Sequence, residues 1–168
     1  MKRRRSRQFA MLSILAISLA AAVVALRPTE RKRVHKQTVR LAARFSKTPG
    51  EGPAVMAAKM HTLGDLFADT VVLNLTGFAG NGAYSQAELV SHVSRIRPMF
   101  HAIDLSFVDV HVDILGADEA SVNLTARLVV SRQDGRTEED IREVSCRLRK
   151  RDGAWRFMAF HEVQVLER

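Results

Sequence analysis

A chain of 168 residues, 46% apolar and 26% charged, has the make-up of one globular domain with room for a core; it excludes a repeat array or a generally disordered polypeptide. The net charge of +8 is unevenly placed: residues 1–50 hold thirteen Lys+Arg against one acid, a surplus of +12, and the rest holds thirteen against seventeen, a balance of −4. The body of the protein is therefore mildly acidic, which argues against a nucleic-acid partner, and the basic surplus sits beside an apolar segment, where a membrane surface is the expected one.

That segment, "FAMLSILAISLAAAVVAL" at residues 9–26, is eighteen residues without a charge, just long enough to cross a bilayer. The basic stretch "MKRRRSR" precedes it. Two readings follow: an uncleaved signal anchor, or a signal peptide cut at the small residues Ala20, Ala21 and Ala22. Cleavage there would leave an apolar stub, which favours the anchor. Basic residues flank both sides, so the positive-inside rule orients it weakly. The expectation is residues 1–27 as basic region and anchor, and residues 28–168 as one exported domain, periplasmic or extracellular. Secretion after cleavage is the alternative. Cys146 is the single cysteine, so no internal disulfide can form.

Residues 27–47 read as a helix, with Val34, Thr38, Leu41 and Phe45 on one stripe. "TPGEGP" breaks it. Residues 54–69 read as a second helix, with Met56, Met60, Leu63 and Phe67 on one side as core packing. "TVVLNLTGF" is a β-branched strand, and "AGNGAY" is a turn carrying Asn81-Gly82. "SQAE" is a capping box: Ser85 accepts from the backbone of Glu88, which reaches back. The helix it opens stops before Pro98, with Leu89, Val90, Val93 and Ile96 buried and His92 on the polar side.

Long strands follow. Residues 103–115 alternate, with Val108, Val110, Val112 and Ile114 on one face, and residues 119–130 alternate likewise. "SRQDGRTEED" reads as a long polar loop. "IREVSCRLRK" then pairs through "RDG" with a last strand, "AWRFMAFHEVQVL". The order predicts an α+β fold: a curved antiparallel sheet wrapped on N-terminal helices.

"LGDLFADTVVLNLTG", the Asn-Gly turn, the capped helix, the strand meander and the ending "DGAWRF…H" together resemble the nuclear transport factor 2-like superfamily, closest to its SnoaL-like and ketosteroid-isomerase-like branch. The likeness covers about residues 30–168. It implies a cone-shaped roll with a pocket at its open end, in a group that includes isomerases, dehydratases, ligand binders and dimerising scaffolds, so fold alone leaves function open. The isomerase branch places one carboxylate near the end of the first strand and a protonated acid on the penultimate strand. Those positions fall near Asn74 or Leu75, and near Ser145. Neither is an acid, and amide and hydroxyl groups do not take a proton from carbon near neutral pH.

On the last strand Trp155, Phe157, Ala159, His161, Val163 and Val165 share a face by alternation, and the resemblance makes that face concave. His161 is thus either a pocket acid or base, or a wall histidine satisfied by a carbonyl or by Tyr84. Leu63, Phe67, Asn74, Tyr84, Phe100, Phe157 and His161 are the expected ligand-binding residues; Asp65 joins His161 and Tyr84 as a catalytic candidate. Asp109, His111 and Asp113 share a face that could suit a metal, but the valines between them must point inward, leaving these three outward. No metal or cofactor is expected. Met158, Phe160 and Leu166 are expected on the outer face, where apolar side chains suggest a homodimer through the sheet. The basic hairpin "SCRLRKRDGAWR" lacks the interleaved aromatics of a nucleic-acid platform. The expected function is binding of a small apolar or amphipathic ligand, or dimeric interaction, without chemistry. The alternatives are a lyase or isomerase using His161, and a structural accessory of a membrane complex whose cavity would be collapsed.

Overall fold

The computed structural model describes residues 29–75 and 80–163. The expected anchor at residues 9–26 lies outside the described residues, as does Leu166; among the described residues no helix is long and apolar enough to cross a membrane.

Helix α1 (Glu30–Phe45) starts where the Thr29 hydroxyl accepts from the Lys32 amide and where Glu30 places a negative charge in the first turn. Its stripe buries Val34, Thr38 and Leu41 as expected. Helix α2 (Pro53–Gly64) opens on a proline and is shorter than the sequence suggests. It stops at Gly64 because Leu66 turns back to the Leu63 carbonyl, and Phe67 enters a strand rather than continuing the methionine side. Strand β1 (Phe67–Asn74) pairs antiparallel with β2 (Gly82–Ser85), a short strand where a turn was expected. The Asn81 side chain accepts from the Leu75 amide at 2.8 Å and fastens this connection. Helix α3 (Gln86–Ile96) carries the expected capping box in full. One 3-10 turn, Arg97–Met99, leads into the meander β3 (Phe100–Ile114), β4 (Glu119–Arg132), β5 (Thr137–Arg151) and β6 (Ala154–Glu162).

The sheet order is β2-β1-β6-β5-β4-β3, and the β1–β6 pair is parallel while the others are antiparallel. The sheet is curved and does not close, and the helices pack on its concave side. Trp155 anchors α1 to it: the Gln37 amide donates to the Trp155 carbonyl at 2.8 Å, and the indole N–H donates to Glu30 at 2.7 Å. The polar stretch read as a loop is largely strand. Arg127 pairs with Glu139 and Arg132 with Glu138 across β4 and β5, so opposite charges hold a ribbon that apolar alternation does not announce.

Among the register shifts of the sheet, two decide which side chains face inward. Val108 faces Thr125 and His111 faces Asn123, so β3 carries one extra residue there, and Asp109 takes a left-handed backbone (φ 52°) that Asp tolerates better than most. Val108 consequently turns outward with Thr125, at 47% exposure, contrary to the continuous valine face expected, while Val112 stays buried. On β6 the neighbours Arg147 and Leu148 of β5 face Ala159 and Phe157, so Met158 is the inserted residue.

A charged group is buried where the helices meet β3. The Arg97 guanidinium, 1% exposed, donates to the carbonyls of Arg44, Phe45 and Ser46 at the end of α1, and it pairs with Glu51, which Lys59 also binds at 2.5 Å. Lys47 donates to the carbonyls of Arg97 and Phe100, and its backbone bridges Ile103. Burial alone would raise the Glu51 carboxyl, but the hydrogen bonds from Lys59 and Arg97 outweigh it and hold Glu51 below the usual carboxylate range.

Removing one partner of a buried, hydrogen-bonded pair leaves the other uncompensated, so Arg97→Ala should lower unfolding free energy by about 3–5 kcal/mol in urea denaturation. Because the Glu51 pKa is depressed on folding, its contribution is present above the ordinary value of 4.5 and is lost as pH falls through the folded value. Wild-type Tm should thus fall more steeply below about pH 4.5 than that of Glu51→Gln, measured by thermal melts in acid.

Candidate functional site

An apolar cavity of about 350 Å³ lies between α1, α3 and the concave face of the sheet. Leu41 and Phe45 of α1 and Leu89, Val93 and Ile96 of α3 wall one side. Phe67, Leu73 and Leu75 of the β1 segment, Leu105 and Phe107 of β3, Leu124, Ala126 and Leu128 of β4, Val144 and Cys146 of β5, and Phe160 of β6 wall the other. Both strand parity and the helical stripe therefore converge on one space. Its polar lining groups are His92, Asp140 and Arg142.

Those three are placed by short-range contacts. The ring of His92 meets that of Tyr84 edge-on at 5.5 Å between centroids. Arg142 donates to Asp140 at 2.7 Å and to Glu162 at 3.2 Å, and its own pKa rises, chiefly through the Asp140 hydrogen bond. Asp140 is exposed while Arg142 and Glu162 are partly covered, so the charged group stands where the cavity meets solvent. Deeper in, desolvation by burial pushes the Cys146 thiol up to about 12, and it behaves as a small apolar wall residue rather than a nucleophile.

The bulge at Met158 decides the fate of the histidine. Phe157 and Phe160 stack at 5.2 Å and both point inward, Phe160 also meeting Phe67 edge-on at 6.3 Å. Phe160 was expected outside and lines the cavity instead. The next residue, His161, faces Ser145 on β5 and Asn74 on β1, the residues between the inward Val144, Cys146, Leu73 and Leu75. One inserted residue reverses every side chain after it, and His161 is carried to the outer face with Asn74 and Ser145.

Of the expected ligand-binding set, Phe67 lines the cavity. Leu63 and Phe157 are fully buried in the core beside it. Tyr84 is half-buried at the rim, its hydroxyl donating to the Gly80 carbonyl at 2.5 Å. Phe100 starts β3 away from the cavity, with the Arg132 guanidinium 5.9 Å above its ring. Asp65 is exposed at the end of α2. His161, Asp65 and Tyr84 thus share no cavity. Asp109, His111 and Asp113 do not converge either: a 3.4 Å contact joins His111 to Asp113, and among the described residues no group of three or more metal-ligating side chains forms. The alternation expectation overlooked Asp140, which ends the stretch read as loop, Arg142, which stands at the start of the strand read after it, and His92, which reads as solvated because it shares a helix side with Glu88. The mixed-sign run "RTEEDIRE" was the available signal, since opposite charges two residues apart on a strand project to one side.

No family model matches the sequence, and no curated protein does. Solved structures do match. The Kfla4162 protein of Kribbella flavida superposes with a TM-score of 0.67 at 13% identity, over 80% of this chain and 90% of that one. A protein of Streptomyces avermitilis described as a dehydratase candidate of the NTF2-like family gives 0.63 at 17% identity, over 83% and 99%. A type 2 hexachlorocyclohexane dehydrochlorinase gives 0.62 at 12% identity, over 79% and 83%. With the sheet order, the helices on the concave side and the cavity between them, these likenesses establish that the chain has the fold of the nuclear transport factor 2-like superfamily.

Proposed function

We propose that this protein is a membrane-anchored, exported domain that holds a small apolar or amphipathic ligand without transforming it. The observation that carries the reading is the cavity itself: about 350 Å³, walled by aliphatic and aromatic side chains, with the charged Asp140–Arg142–Glu162 group at its solvent end. That volume lies in the range of small-molecule sites, and apolar walls with few polar fixtures are the usual chemistry of such sites. An open space of this size also speaks for binding over a purely structural accessory, whose cavity would be filled. The lyase or isomerase alternative loses its support from His161, which faces away. Anchoring rests on the eighteen uncharged residues behind a basic stretch. Homodimerisation through the outer face of the sheet draws support from Val72, Val108 and Ile141, exposed by 40%, 47% and 59%.

The test is native mass spectrometry of the full chain released from a non-ionic detergent, followed by extraction and identification of what it carries. Wild-type protein should release an apolar small molecule at up to one per chain. Ala126→Phe fills the cavity from the middle of β4 and should reduce that occupancy at least tenfold while the circular dichroism is kept. Equal occupancy in the variant, or a wild-type chain that carries nothing and shows no Tm shift with neutral apolar probes, would count against the pocket as a binding site.

A further inference from the structure

A second cavity, of about 280 Å³, opens on the outer face at the end of the sheet where β1, β6 and β5 lie side by side. Arg149, Arg151 and Arg156 line it with Asp69, Thr70 and Met158. Arg149 and Arg156 are direct cross-strand partners, an arrangement that like charges normally disfavour. The local acids do not resolve it. Asp69 accepts from Arg151 at 2.5 Å, and Glu119, opposite Arg149 on β4, gives its carboxylate to Arg147 at 2.8 Å. Three guanidiniums thus face one carboxylate in a concave space. Among the described residues the Nε of Arg156 is buried and makes no hydrogen bond.

A desolvated guanidinium N–H with no acceptor is costly, and two adjacent unpaired guanidiniums repel. Both penalties vanish if an anion sits between them. We propose that this cavity is a phosphate-oxyanion site, with Arg149 and Arg156 as its forks and Arg151, steered by Asp69, at its rim. Tetrahedral phosphate suits it: planar guanidiniums donate to such oxygens in pairs, and Thr70 adds a hydroxyl. The phosphate has two sources, a free phosphate group or the headgroup of an anionic lipid. The hairpin that carries Arg149, Arg151 and Arg156 is tied to the start of α1, where Lys150 pairs with Glu30 at 3.0 Å. Residue 26, the last of the apolar segment, is four residues before Glu30, at most about 14 Å of chain. Were that segment in a bilayer, this end of the sheet would lie near the headgroups. The site itself is independent of the apolar cavity on the opposite face.

The test uses the full chain in non-ionic detergent, with the Arg Nε–H signals followed by NMR during titration with inorganic phosphate and, separately, with dihexanoylphosphatidylglycerol. The Arg156 Nε–H, assigned by its loss in Arg156→Lys, should shift saturably with one or both probes. Arg149→Gln and Arg156→Gln should each weaken binding about tenfold, the loss of a charge-assisted hydrogen bond. Arg156→Lys should weaken it too, because the fork is lost with the charge kept. Response to inorganic phosphate assigns a free phosphate group, and response to the lipid alone assigns a headgroup. The proposal falls if neither probe moves Arg156, or if Arg95→Gln, which removes the same single charge elsewhere, weakens binding as much as either single variant.

Discussion

A guanidinium taken out of water needs acceptors in the protein, and Arg97 finds them for its two terminal nitrogens, though not for its buried Nε, where three elements meet. It closes the end of α1 by donating to the last carbonyls, and it holds Glu51, which precedes α2. Lys47, one residue beyond the α1 cap, reaches the backbone on the far side of Arg97. The exit of α1, the entry of α2 and the start of β3 are thus fixed to one another by hydrogen bonds to charge. Apolar contact alone would let these elements slide. The stripe of α1 that forms one wall of the cavity owes its position to this arrangement, because Leu41 and Phe45 lie within the last turns before the carbonyls that Arg97 caps.

The cavity follows from a mismatch between what the sheet curves around and what the helices fill. α1 and α3 lay their apolar residues against a broad concave face, and the side chains that reach the middle, Ala126 and Cys146 among them, are small. Larger residues at those positions would complete a packed core. Their absence leaves space lined almost wholly by carbon, and the charged trio at the edge marks the way out. The two faces of the sheet therefore carry different chemistry: apolar and enclosed within, basic and open at one end outside.

The helices were legible from sequence because a period of 3.6 and local caps need only neighbouring residues. Ser85 and Glu88 announce α3 within four positions, and Val34, Thr38 and Leu41 announce the buried side of α1. The strands were legible as strands, and so was their meander. What could not be read was parity after a bulge. Nothing in "WRFMAFHE" says that Met158 is the extra residue; that is set by the pairing with β5, where the adjacent Arg147 and Leu148 face Ala159 and Phe157. His161 and Phe160 exchange faces on that account, as Val108 does across Asp109. The solvent end of the cavity escaped for a related reason. Asp140 and Arg142 belong to a ribbon held by cross-strand charge; polarity made its first part, up to Asp140, look like a loop until its partner was known. Arg97 looked like the residue before a helix-ending proline, which it is, and its burial depends wholly on tertiary neighbours.

The parallel pairing of β1 with β6 carries a consequence for biogenesis. Phe67 and Phe157 are register partners separated by most of the folded chain. The meander from β3 to β6 can form by successive hairpins as it is made, whereas β1, paired early with β2 on one edge, finds the partner of its other edge only once β6 exists. At about 5–20 residues per second, translation leaves the inner edge of β1 unpaired for about 5–20 s. A strand edge whose N–H and C=O groups stay unpaired that long is a substrate for chaperones. The strand made first is the one seated last, and the final hairpin is what locks the sheet.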